Sequence, residues 1–215
     1  MKKIILFACL LLSLSAYSQE KNVDEEKGGF KKENLFTGGG ITLSFSNNGS
    51  VLGAAPVFGY SVAKWLDAGI VFNYVYSSTR HVTYYNPNNG TYFYSDDKMR
   101  QSTYGPGAFV RIYPVKFLFA HAQVEHNFIS QKLIPVNGSG TIKYKTEATS
   151  FLIGGGYSSG RESKGDMFYY ISILFDINKN PNSPYVENTQ SNTVNVLPII
   201  RAGIQIPLFQ GKKLF

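Results

Sequence analysis

The chain of 215 residues predicts an all-β fold: an eight-stranded antiparallel up-and-down transmembrane β-barrel. Three observations predict it. Segments of about ten residues alternate apolar with polar, the length a tilted strand needs to cross a bilayer. The composition is 43% hydrophobic with 15 Tyr and 16 Phe, yet past the first residues no stretch is long enough for a membrane helix. The links between the alternating segments also switch between short and long, the asymmetry of transmembrane barrels. A strand-built membrane protein has to close its sheet, because lipid offers no partner for an open edge.

The chain opens Met1-Lys2-Lys3, followed by an apolar run from Ile4 to Leu14 and the small-residue site Ala16-Tyr17-Ser18. A basic start, a short apolar core and a small-x-small site predict a secretory signal peptide over 1–18, cleaved near Ser18/Gln19. The single cysteine, Cys9, lies inside it, so the exported chain offers no disulfide and no thiol chemistry. The roughly 200 residues left suit one domain. The formal charge of +7 is scattered along the sequence without a Lys/Arg stripe, which gives a nucleic-acid partner no support. Residues 19–36 are polar and charged and predict a flexible periplasmic lead-in, with the barrel over 37–215.

The first strand is expected at about 37–47, with Ile41, Leu43 and Phe45 on one face, and Asn47-Asn48-Gly49-Ser50 as its turn. The second, about 51–62, carries Leu52, Ala54, Pro56, Phe58 and Tyr60 on its apolar parity. The third, about 66–78, sets Ile70, Phe72, Tyr74 and Tyr76 against Asp67 and Asn73. A long polar, Tyr-rich loop is expected over 79–101. The fourth strand, about 102–113, has Arg111 opposite its apolar face, and the fifth, about 117–129, has His121, Gln123, Glu125 and Asn127. A loop at 130–144 leads to the sixth, about 145–157. The polar stretch Ser158–Asp166 turns into the seventh, about 167–177, with Ser172 and Asp176 facing in. A Pro/Asn-rich loop at 178–192 precedes the last strand, whose parity Val196, Pro198, Ile200, Ala202, Ile204, Ile206, Leu208 is wholly apolar while Arg201 and Gln205 oppose it. Even strand number returns both ends of the chain to one side.

Aromatic residues fall near both sets of strand ends: Trp65, Phe117, Tyr157 and Phe209 at one, Tyr74, Tyr76, Tyr104 and Phe128 at the other. Rings with a polar edge favour the two headgroup levels, so these predict a pair of interfacial girdles. Pro56, Pro106 and Pro198 fall inside expected strands, where each deletes a ladder hydrogen bond.

Opposite the lipid parity lie Asp67, Arg111, Glu125, Asp176 and Arg201. Eight strands enclose a lumen just filled by side chains, and buried charges there must pair. The sequence predicts a charge network plugging the lumen, with Arg111 on Glu125 and Arg201 on Asp176.

The motifs Pro56-Val57-Phe58-Gly59-Tyr60-Ser61-Val62, Trp65-Leu66-Asp67-Ala68-Gly69 and Gly105-Pro106-Gly107-Ala108-Phe109-Val110-Arg111, with the signal ending at Ser18/Gln19 and the apolar final strand, resemble the porin-like outer membrane protein beta-barrel domain proteins of Bacteroidetes. The resemblance implies residence in the bacterial outer membrane, among its lipid and lipopolysaccharide. It also implies folding by the barrel-assembly machinery, which reads a final strand commonly ending in an aromatic; Phe209 or Phe215 would serve. No cofactor is implied and no catalytic residue is expected.

The expected role is structural, or surface interaction through the external loops, in a monomer without a wide pore. The loop 79–101, with Tyr84, Tyr85, Tyr92, Phe93 and Tyr94, is the candidate surface for an extracellular ligand. Two alternatives stand beside this. His126, Ser130 and Glu147 share the outward parity and supply the residue types of an ester hydrolase acting on lipid A. Alternation alone is also compatible with a soluble lipocalin-like barrel around an apolar ligand cavity.

Overall fold

The structure is a computed structural model and describes residues 30–46, 49–86, 88, 90–161, 167–188 and 194–209. The signal peptide, most of the lead-in, the 47–48 turn and Phe215 lie outside the described residues. The chain divides at Phe30/Lys31, and the unit from Lys31 onward holds the barrel. A 3-10 turn, Lys32–Asn34, leads directly into the first strand at Leu35, two residues earlier than the sequence suggests.

Ten strands follow: β1 Leu35–Ser46, β2 Gly49–Ala63, β3 Leu66–Asn86, β4 Thr91–Val115, β5 Leu118–Ile134, β6 Ile142–Ser158, β7 Phe168–Asp176, β8 Val186–Asn188, β9 Val194–Val196 and β10 Ile199–Pro207. Seven of them and β10 close an antiparallel barrel in the order β1-β10-β7-β6-β5-β4-β3-β2. The pair β8 and β9 forms a separate small ribbon. Closure runs between the chain's first and last barrel strands, from Phe36↔Pro207 to Ile41↔Ala202. Glycines line that seam. A Cβ on Gly38 would be driven into the Ile204 carbonyl, and one on Gly39 would meet the Ala55 carbonyl at 2.5 Å. Both residues also have a positive φ, 151° and 140°, which L side chains avoid.

The two ends of the barrel differ. At the terminal end, where β1 begins and β10 stops, the turns at 64–65 and 116–117 are tight. At the other, the loop end, the wall is uneven. Here the structure corrects the expected 79–101 loop. β3 and β4 continue as a paired hairpin to Asn86↔Thr91, rising about 33 Å along the strand beyond Tyr76 at roughly 3.3 Å per residue. β5 and β6 also pair on past the expected ends, to Leu133↔Ile142. Alternation failed as a signal there because both faces of this projecting sheet are wet, so polar residues occupy both parities.

Prolines account for gaps in the ladders and for one of the register shifts; the shifts at Ser61/Ala63 and Arg80/Val82 contain none. Pro56 pairs with Gly39 on β1 but drops out of the β2–β3 ladder. Pro106 pairs with Phe72 but drops out of the β4–β5 ladder. Each therefore turns its missing N–H toward one neighbour only. Pro114 sits in the irregularity between Ile112 and Val115. Pro198 lies between β9 and β10, so the final strand is shorter than the continuous segment the sequence suggests.

The partition of side chains is inverted relative to a water-soluble core. Outward residues such as Ile41, Ile70, Tyr169 and Ile200 are 58–63% exposed. Such a continuous apolar exterior is costly in water and demands a covering phase. On β4 the apolar outward run from Tyr104 to Ile112 covers about 27 Å of strand, or roughly 21 Å of height at a 40° tilt.

Candidate functional site: the lumen and the projecting sheet

The lumen begins at the terminal end with an aromatic cluster of Tyr113, Phe119, Phe168 and Tyr170. Arg161, from the β6–β7 connection, folds back over it. Its guanidinium stacks on Tyr113 at 3.9 Å and grips Asp67 with both terminal nitrogens, Nη1 at 2.5 Å and Nη2 at 2.9 Å. Such two-point contact is the strong form of the Arg–carboxylate pair. Arg161 also donates to the backbone carbonyl of Lys64, so it ties the connection to the β2–β3 turn.

From Asp67 a chain of side chains climbs the barrel. Gln205 donates to Asp67 at 3.2 Å and accepts from Arg111 at 3.2 Å. Arg111 donates through Nε to His121 Nδ1 at 3.3 Å and lies against the rings of Tyr170 (4.3 Å) and Phe109 (4.9 Å). That donation assigns the proton of a neutral His121 to Nε2, which then meets Gln123 Oε1 at 3.0 Å. Gln123 in turn donates to Glu125. Glu125 also accepts from Arg201 at 2.7 Å, Tyr185 at 2.6 Å and Asn127 at 3.4 Å. Asn73 donates to the Tyr185 hydroxyl at 2.8 Å. The column thus runs from a residue of one connection, Arg161, to a residue of the opposite one, Tyr185.

The loop end is sealed beside it by Asp176, which accepts from Ser183 Oγ at 2.6 Å and from the amides of Phe151 and Asn178. Ser183 touches Ser150 at 3.0 Å.

Asp67, Arg111, Glu125, Asp176 and Arg201 are all buried, with Arg161 as a sixth ionised member. The partners differ from those the sequence suggests. Glu125 takes Arg201 and not Arg111, while Asp176 is held by hydroxyl and amide donors. Arg111 is stabilised by Gln205, His121 and aromatic faces. Arg161 and Tyr185 escaped the sequence reading because they lie in connections, outside any strand parity. His121, Gln123, Asn127 and Gln205 were on the inward parity from the start.

Of the aromatics expected at the interfaces, Trp65, Phe117, Tyr157 and Phe209 are exposed toward the terminal end, with Phe117 and Tyr157 6.5 Å apart. Toward the loop end Tyr74 pairs with Tyr104, and Tyr104 packs on Phe128 at 5.5 Å. Tyr76 is half-buried one step above them. Phe209 directly follows β10 with a φ of 59°.

The hydrolase constellation does not assemble. His126 and Ser130 stand four residues apart on one face of β5, about 13 Å by strand rise. His126 Nδ1 is bonded to Thr149 Oγ1 at 2.9 Å and its Nε2 is 3.7 Å from Glu147. Ser130 faces Ser102 and Lys145, and among the described contacts His126 engages Thr149 and Glu147 instead of the Ser130 hydroxyl. The lipocalin alternative fails on the same structure: ionised and amide groups share the interior with packed clusters such as Phe36, Val57, Val71 and Phe109, and the continuous apolar face is outside.

On the projecting hairpin Tyr84 stacks on Phe93 at 5.5 Å and donates to Asp97 at 2.8 Å. Asp97 also accepts the Val136 amide at 2.9 Å, which fastens the β3–β4 hairpin to the β5–β6 connection. These contacts, the Val136 N–H first and the Tyr84 hydroxyl second, hold the Asp97 carboxyl below its ordinary range.

The geometry defines a class: an eight-stranded antiparallel barrel, apolar outside, with buried polar, charged and aromatic side chains inside. No family model matches the chain, and no curated protein matches it. Among solved structures the chain is similar to the crystal structure of Ail, the attachment invasion locus protein of Yersinia pestis, in complex with the heparin analogue sucrose octasulfate. That likeness has a TM-score of 0.42 at 6% identity and covers 80% of this chain and 94% of that one.

Proposed function

We propose that the protein is an integral outer-membrane barrel that does not conduct and that acts at the cell surface through its projecting β3–β6 sheet. The observation that carries this is the unbroken column from Arg161 to Tyr185. Both end residues come from connections, so the lumen is stoppered from each side, and eight strands leave no spare bore. The apolar exterior supports the membrane as its surroundings. The export signal and the resemblance to Bacteroidetes porin-like barrels agree, with the difference that no pore remains. The short turns at 64–65 and 116–117 support a periplasmic terminal end and an external loop end. The barrel-assembly machinery would receive β10, with Phe209 exposed behind it.

In this reading the stacked Tyr84 and Phe93 ride on a paired hairpin, so the surface for an extracellular partner is pre-ordered. Purified protein in planar bilayers is expected to give no conductance steps, while membrane fractionation recovers it with the outer membrane. Steady open-channel steps from the wild-type protein refute the closed lumen; recovery in the soluble fraction refutes the membrane assignment.

A further inference from the structure

The cations that look scattered in sequence are gathered by the strand register. On the outward parity above the apolar belt, successive rows of β3, β4, β5 and β6 can be read from the pairing. The aromatic row is Tyr74, Tyr104 and Phe128. The next, with three hydroxyls, is Tyr76, Ser102, Ser130 and Lys145. The third is Ser78, Arg100, Lys132 and Lys143, and above it Arg80 faces Lys98. Each row is about 6.8 Å of strand above the last.

Arg80, Lys98, Arg100, Lys132, Lys143 and Lys145 are all exposed. Arg80↔Lys98, Arg100↔Lys132 and Lys132↔Lys143 stand directly opposite across strands, where like charges repel. Of the carboxylates of this wall, Asp96 is bonded to His81 at 2.8 Å, while Glu147, 3.7 Å from His126, stands opposite Phe128 in the aromatic row and borders Ser130 and Lys145 there. Asp97 holds Tyr84 and Val136. A hollow of about 210 Å³ opens among the cations, lined by Tyr76, Arg100, Ser102, Ser130 and Lys132. Ser130 also borders a second hollow of about 330 Å³ over Tyr104 and Phe128.

We propose that this wall is a binding site for the phosphate groups of an outer-leaflet glycolipid. Two cations and three hydroxyls around one hollow are the donors a phosphate takes. Height selects the source. The site faces sideways, one to two rows above the aromatic girdle, where headgroup phosphates lie beside the barrel, and the adjoining aromatic hollow is placed for the lipid's sugar and acyl roots. The phosphate would offset the repulsion among the paired cations. This inference rests on the outer-membrane reading above.

The test uses the exported protein, folded and placed in phosphatidylcholine nanodiscs, with fluorescent lipid A carrying its two phosphates or none. The expected result is about a tenfold preference for the phosphorylated lipid, the scale of one charge-assisted hydrogen bond. R100Q/K132Q is expected to bring the preference within about twofold, R100K/K132R to keep it, and K64Q/K116Q at the opposite end to leave it unchanged. Absence of preference in the wild-type protein, or an unaffected R100Q/K132Q, overturns the site. So does displacement of the lipid by inorganic phosphate or a soluble sulfated polysaccharide at equal charge concentration, which would mean an aqueous partner. A protein that never enters the nanodisc overturns the membrane reading as well; one that enters without preference overturns this inference alone.

Discussion

Replacing Glu125 by Gln tests the logic of the lumen. Glu125 is fully buried and accepts from Gln123, Asn127, Tyr185 and Arg201. The substitution keeps the shape and removes the charge, so the Arg201 guanidinium is left buried without its counter-ion. Breaking a buried pair from one side costs about 3–5 kcal/mol. With a urea dependence of about 2 kcal/mol per molar, the unfolding midpoint falls by roughly 2 M. The sole tryptophan, Trp65, stands exposed at the terminal end and reports unfolding in phosphatidylcholine vesicles by its fluorescence. The double variant E125Q/R201Q removes both charges and is expected to lose less than the sum of the single losses, with a coupling of about 2 kcal/mol. Single variants within about 0.5 kcal/mol of wild type, or strictly additive losses, would refute the claim that this pair is desolvated and mutually dependent.

Tyr185→Phe strips the hydroxyl that Glu125 and Asn73 share and is expected to cost about 1–3 kcal/mol in the same urea assay; an unchanged midpoint would place Tyr185 outside the lumen in solution. Gly38→Ala sets a methyl against the Ile204 carbonyl across the closing seam, so the heat-sensitive compact band of the folded barrel on gels should be lost, and its persistence would disprove the tight approach. The Asp97 carboxyl is held low by its folded-state contacts. Their contribution is therefore complete above the ordinary value near 3.8 and disappears as pH falls below it and through the lower folded value. Hydrogen exchange at the Val136 amide should accelerate in that window and the acid step should be missing in D97N; a pH-independent Val136 amide contradicts the tether.

The barrel itself was legible because one face of each strand meets an apolar phase and the other a packed polar lumen, which writes period-two alternation into the sequence. Ile171, Ile173 and Phe175 against Ser172 and Asp176 show this in its simplest form. Legibility ended where the environment became the same on both faces, as in Arg80–Asn86 and Thr91–Lys98. It also ended at Arg161 and Tyr185, whose positions are fixed by what they reach and not by strand parity. The identity of the charge pairs was hidden for another reason. Parity names the face of a residue, but its partner across the lumen depends on strand tilt and register, and Pro56 and Pro106 interrupt the ladders. The same register converts scattered lysines and arginines into one basic wall, which no linear reading of charge could reveal.

Arg111, Arg161 and Arg201 are matched in number by Asp67, Glu125 and Asp176 inside the barrel. Among the described residues the formal charges of this interior therefore sum to zero, with Arg161 on Asp67 and Arg201 on Glu125 as direct pairs. Among the described residues the positive excess consequently belongs to side chains outside that network, such as Arg80, Lys98, Arg100, Lys132, Lys143 and Lys145, where counter-ions and lipid can answer it. A barrel of this kind does not advertise its sign along its axis, as an open channel would. It wears that sign on its flank.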